Sequence, residues 1–139
     1  MMRDTVSNKN PYYIPKYRRL ELKYYCLQYP IWEQAYNSLS SLDSRPMDWI
    51  NFYNFFQTNM HADPVAKRAI AMQKYSSKMD LIKNIAKESD EDLAPYILLG
   101  VTKGKSYEWL YANMQIPCSK DTYYSRCRKF FWLLNKHKD

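Results

Sequence analysis

Apolar positions along this chain recur at steps of three and four, the spacing that puts side chains on one face of an α-helix. Residues 1–15 are polar and then punctuated by Asn10-Pro11 and Ile14-Pro15, which reads as a tail or arm pinned by Tyr12 and Tyr13. A helix is expected from Lys16, with Leu20, Tyr24 and Leu27 inward, broken at Tyr29-Pro30 because proline lacks an N–H and restricts the residue before it. A second is expected from Ile31, with Ile31, Ala35, Leu39 and Leu42 inward. SSLDSRPM (40–47) reads as a loop. DWINFYNFFQTNM follows, a short helix by the spacing of Trp49, Ile50, Tyr53 and Phe56, and as a strand it would lack a hairpin partner.

Asp63-Pro64 is a start signal, a capping carboxylate before a proline at the first helical position. The helix it opens runs to about Glu88, roughly 37 Å at 1.5 Å per residue. Val65, Ala69, Met72, Met79, Ile82 and Ala86 form its apolar series, and Lys67, Arg68, Lys74, Lys78, Lys83 and Lys87 occupy the other faces. Such a helix links two packing units or pairs with a second copy. The acids of SDED (89–92) suit the start of the next helix, placed near Leu93 with Pro95 in its first turn and an end at Gly100–Gly104. Ser106 then caps a short helix, Tyr107–Met114, that offers Trp109, Leu110 and Met114 to the core. Gln115–Cys118 turn, and Ser119 caps a final helix to about Lys136. In that helix Tyr123, Cys127, Phe130 and Leu134 share the core face. Lys120, Tyr124 and Arg128 form the adjacent stripe, with Asp121, Ser125 and Lys129 beside it.

Composition agrees with a helical fold. Only Gly100 and Gly104 are glycines in 139 residues, few for hairpin turns that want positive φ, and 46% apolar content is enough for a core. The fold class expected is all-α: an N-terminal helical unit (1–62), a long connecting helix (63–90) and a C-terminal helix-turn-helix (91–139). Charge is uneven. Of a net +7, residues 101–139 hold eight Lys/Arg against three Asp/Glu. A concentrated basic patch is the footprint of an anionic partner, most often nucleic acid. No apolar run reaches the length of a membrane span, the N-terminus carries no signal-peptide core, and three cysteines make no disulfide framework, so an intracellular, reduced, cytoplasmic protein is expected.

The order helix, short helix, four-residue turn, basic helix fits a helix-turn-helix whose second member lies in the major groove of double-stranded DNA. On that reading Lys120, Tyr124, Ser125 and Arg128 read or position on base edges, while Lys103, Lys105, Arg126 and Lys129 hold phosphates and the amides near Ser119 favour a phosphate oxygen. The competing reading is a three-helix subdomain whose charged face is merely solvated. The N-terminal PKYRRLELKYY offers Lys16, Arg18, Arg19 and Lys23 as a second phosphate contact, or as a basic helix face with tyrosines packed inward. Other chemistry finds little footing. Cys118, Cys127 and His137 lack metal-ligand spacing, His61 is a loop residue, Cys26 reads as a core thiol, and Met60, Met72 and Met79 as gap-filling core. Cys118 precedes a helix N-terminus, a place that lowers thiol pKa values, without a histidine tied to it. No enzyme and no cofactor is expected.

ELKYYCLQYPIWEQAYNSL (21–39), DPVAKRAI (63–70) and SYEWLYANMQIPCSKDTYYSRCRKFFWLL (106–134) together resemble the ArpU/RinA group of phage and prophage transcriptional regulators. The last segment resembles the region-four-like domain of bacterial sigma factors. The resemblance implies sequence-specific transcription regulation, contact with RNA polymerase through the N-terminal half, and DNA contacts at Ser119, Lys120, Thr122, Tyr123, Tyr124, Arg126 and Arg128, although periodicity assigns Tyr123 to the core. A homodimer is expected, since one small module buries little DNA surface. Two alternatives stand beside this: a small terminase subunit, and an inhibitor that blocks a host nuclease by protein–protein contact.

Overall fold

A computed structural model describes residues 7–41 and 64–139. Every regular element among them is an α-helix: α1 Lys16–Cys26, α2 Tyr29–Ser41, α3 Pro64–Ser89, α4 Ala94–Lys103, α5 Tyr107–Met114 and α6 Lys120–His137. The expected all-α class is therefore what the chain adopts. Leu42, the bulk of the 40–47 loop, the aromatic 48–60 segment with His61 and Met60, and the Asp63 cap lie outside the described residues.

Local signals set most boundaries. Asp90 accepts from the backbone N–H groups of Asp92 and Leu93 through Oδ1, at 3.0 and 3.1 Å, satisfying donors at the start of α4. Gly104, at φ 68°, closes α4 in the left-handed conformation that glycine adopts without a Cβ clash. Ser106 Oγ accepts from Trp109 N, and Ser119 Oγ from Thr122 N, so α5 and α6 begin where their hydroxyls stop the backbone donors from going unpaired. Gln115 ends α5 at φ 53°, a left-handed position that its residue type did not announce. The chain breaks at Leu27–Gln28, just ahead of Pro30, and Pro30 is the second residue of α2, where its missing N–H is no loss.

The described residues fall into two units. One takes residues up to Pro30 together with Asp80–Asp139, and the other lies between Ile31 and Met79. Both α2 and α3 pass from one unit to the other, each as a continuous helix. In the second unit Trp32 is buried and the Lys78 ammonium sits 5.3 Å from its ring centre. Ile31, expected inward, is 64% exposed. At the other end of the stripe expected on α3, Val65 is 48% exposed, whereas Met79, Ile82 and Ala86 are buried.

In the first unit α1 packs on α6 and α4, and α4 packs on α6. The N-terminal helix thus shares its core with the C-terminal ones. Its buried stripe is Arg19, Leu22 and Cys26, while Tyr24, expected inward, is 58% exposed. Arg19 causes the difference: its guanidinium lies 4.6 Å from the centre of the Phe131 ring of α6, so a cation rather than an apolar side chain fills that face. On α6 the expected Tyr123, Cys127, Phe130 and Leu134 are all buried, joined by Phe131 and Leu133. Leu110 of α5 is buried as expected, but Met114 is 43% exposed.

Gly100 is set by close approach. A Cβ there would stand 2.1 Å from the Tyr123 hydroxyl but 3.4 Å from its Cζ. Gly100→Ala is therefore expected to destabilise the chain by about 1–2 kcal/mol, overpacking outweighing the better helix propensity of alanine. In a Tyr123→Phe background the same change should be neutral or stabilising. A double-mutant cycle in urea measures the coupling, and additive effects would refute the contact.

Candidate nucleic-acid interface

The segment expected to meet DNA is α5, its following turn and α6. The Tyr107 hydroxyl donates to the Cys118 carbonyl at 2.6 Å, fastening the turn to the start of α5, and the Tyr107 ring packs 5.9 Å from that of Tyr123. With the turn fixed, Ser119, Lys120, Asp121 and Thr122 are exposed at the start of α6. Tyr124, Ser125, Arg126, Arg128 and Lys129 are half-buried one to three turns on. Lys103 is exposed at the end of α4, and Lys105 is half-buried with its ammonium 4.5 Å from the Trp109 ring centre.

The candidate cations differ in how committed they are. Lys120 Nζ donates to Glu108 Oε1 at 2.6 Å, and that bond is the main reason the lysine pKa rises and the carboxyl pKa falls. Both side chains are at least half exposed, so the pair is weak and a phosphate oxygen is able to displace it. Arg126 Nε donates to Asp90 Oδ2 at 3.0 Å, while the other oxygen of Asp90 caps α4. Arg126 therefore fastens α6 to the start of α4 and is the candidate with least freedom to leave. Arg128 has no carboxylate partner among the described residues, and its Nε is buried without a hydrogen bond.

At 100° per residue, the side of α6 opposite Tyr123, Cys127 and Phe130 passes through Asp121, Ser125, Lys129 and Trp132. The stripe of Lys120, Tyr124 and Arg128 flanks that side. Tyr124 lines a cavity beside α1, its hydroxyl buried with no acceptor for its proton among the described residues. Sequence periodicity found both stripes but did not rank them, since α5 and α1 decide which is covered.

The N-terminal arm and α1 both touch the far half of α6. Tyr12 meets Trp132 edge-on, ring centres 5.6 Å apart, and Lys136 Nζ lies 3.5 Å from the same ring centre. Arg18 donates to Asn135 Oδ1 at 2.7 Å and to the Lys138 carbonyl at 2.6 Å, a cation at the negative end of α6. It also pairs with Glu21. So of the basic residues offered as a second phosphate contact, Arg18 and Arg19 are built into the packing of α6. Tyr12 is half-buried in its contact with Trp132, while Tyr13 is 41% exposed.

Thiol chemistry gains nothing here. Burial, then the Asp90 carboxylate, push the Cys118 thiol pKa up, against the lowering expected from its place before α6; Arg126 opposes this only in part. Burial holds Cys26 well above the usual thiol range and pushes Cys127 up to about 12. Among the described residues no group of three or more His, Cys, Asp or Glu side chains is placed to hold a metal ion, and no helix is long and apolar enough to cross a membrane. Comparison of the chain with protein-family models, curated proteins and solved structures gives no match.

Proposed function

We propose that this chain binds double-stranded DNA sequence-specifically, as a transcription regulator of the phage or prophage kind that its residues resemble. The two helices α5 and α6 act as the helix-turn-helix, with the first three turns of α6 entering the major groove. What carries the reading is the meeting of two features on one segment. The uncovered start of α6 presents hydroxyls and cations together, and residues 101–139 hold eight Lys/Arg against three Asp/Glu. Ser125 and Arg128 face base edges, and Lys103, Lys105 and Lys129 hold phosphates. Lys120 joins them by exchanging Glu108 for a phosphate oxygen. Arg126 acts from behind, by fixing α6 on Asp90. Two copies on adjacent half-sites would supply the buried surface that one module lacks.

Selection of bound duplexes from a random pool is the test. A recovered consensus, with affinity falling steeply as salt rises, is the expected result, because each neutralised phosphate releases counterions. No enrichment at low ionic strength overturns the proposal. Glu108→Gln should strengthen binding to every duplex several-fold and steepen the salt dependence, since it removes a negative charge and releases Lys120. Unchanged affinity in that variant would exclude Lys120 from the phosphate contacts.

A further inference from the structure

The outward side of α6 continues past the residues assigned to the groove. Lys136 follows Lys129 by seven residues, two turns and about 10 Å along the helix, so it lies on the same side of α6. Trp132 stands between them, and the N-terminal arm is seated on it. Tyr12 meets the Trp132 ring edge-on at 5.6 Å, and the Lys136 ammonium lies 3.5 Å from the ring centre. The arm is shaped by short bonds of its own. Asn10 N donates to the Ser7 carbonyl at 2.9 Å, Asn10 Oδ1 accepts from Tyr12 N at 2.8 Å, and Tyr13 N donates to the Asn10 carbonyl at 3.0 Å. Ile14, next along the chain, is buried in the core. Lys9 sits in this turn, exposed and three residues from Tyr12, which keeps it within about 11 Å of Tyr12 along the chain.

We infer that the arm and the end of α6 form a second DNA contact, in which Lys9 and Lys136 hold phosphates of the duplex flanking the sequence read by the start of α6. This rests on the proposed entry of α6 into the major groove. Charge complementarity selects the partner. Lys9, Lys129 and Lys136 have no carboxylate partner among the described residues, and residues 7–17 contain Lys9 and Lys16 but no Asp or Glu. The Trp132 ring holds the Lys136 ammonium in place without cancelling its charge. An arm that closed the DNA face against its ligand would need negative charge to stand in for phosphate. This one brings positive charge, so it extends the electrostatic footprint of α6. Geometry sets which part of the duplex is reached. The major groove is about 12 Å wide, and the first three turns of α6, about 16 Å long, span it. Residues two turns further on meet the bordering backbone, where contacts fix register and carry no sequence information. Tyr12 is the positioning residue: it brings no cation, and its contact with Trp132 keeps the Lys9 turn at this end of α6.

The test compares two duplexes carrying the selected consensus, one ending at its borders and one extended on each side by about one helical turn, roughly 10 base pairs. The full chain should bind the extended duplex several-fold more tightly, with a salt dependence steeper by about two, one for each lysine. Lys9→Gln and Lys136→Gln should each remove about one from that slope while leaving the short duplex and the recovered consensus unaffected. Tyr12→Ala removes no cation, yet it should lose the Lys9 share of the gain. Should that variant fail to fold, Lys9→Gln, at an exposed residue, decides alone. If the short duplex binds but the extension adds nothing, if the lysine variants weaken both duplexes alike, or if Tyr12→Ala binds more tightly, the flanking contact is overturned while DNA binding by α6 stands. If no consensus is recovered at all, both fall together.

Discussion

Raising the pH above about 9 is expected to unfold this protein progressively, with a loss of several kcal/mol by about pH 11. Three buried acids act together. Burial pushes Cys127 up to about 12 and Cys26 well above the usual thiol range. It also pushes the Tyr123 phenol above its ordinary value, with the neighbouring Cys127 adding to the effect. Below about pH 8 all three are neutral in the folded and unfolded chain alike, so they leave stability unchanged. From about pH 9 the unfolded chain releases protons that the folded chain keeps. The folded state then binds more protons, and stability falls with pH by up to about 1.4 kcal/mol per unit for each group. The decline from Cys127 ends only near its folded value of about 12. Set against a typical total of about 5–15 kcal/mol, a few such units decide the outcome. Urea midpoints between pH 7 and 11 measure the profile, and Cys127→Ala should make it shallower. A midpoint that holds constant to pH 11 would show that these groups meet water in the folded chain.

Arg128→Ala is expected to lower affinity for a selected duplex by about 10- to 100-fold, the equivalent of roughly 1–3 kcal/mol, and to relax the consensus at one or two positions. The residue is half-buried in the third turn of α6, has no carboxylate partner among the described residues, and neighbours Ser125 and Lys129 on the helix surface. Its guanidinium suits the paired acceptors of a guanine edge. Two controls separate reading from positioning. Lys103→Ala should weaken all duplexes alike and reduce the salt slope by about one. Arg126→Ala should act first on stability, because its partner Asp90 also caps α4. Circular dichroism and urea midpoints establish that each variant folds. An Arg128→Ala protein that recovers the same consensus with the same affinity would remove this residue from the interface.

The aromatic face of α6 illustrates how sequence and structure divide the information. Tyr123, Cys127, Phe130 and Leu134 follow a helical period, and all four are buried. Their neighbours Phe131 and Leu133 lie on the edges of that stripe, and they are buried because α6 meets other helices on more than one side. Arg19 went the opposite way. Its residue type argues for solvent, yet the Phe131 ring provides a place for its guanidinium within the core. The cavity was equally hidden, since its lining residues come from three helices that no spacing rule relates.

The sequence by itself determined the helical class and, from residue 94 onward, almost every helix end. Those ends depend on short-range bonding: Ser106 and Ser119 each satisfy a backbone donor three residues ahead, and Gly104 takes the left-handed turn. Tertiary structure alone decided that α1 belongs with α4 and α6, which of its faces is buried, and how far each candidate cation is engaged. Asp90 and Arg126 are 36 positions apart, and Arg18 and Asn135 are 117 apart. Pairings over such distances follow from packing in three dimensions, and no local period or capping rule carries them.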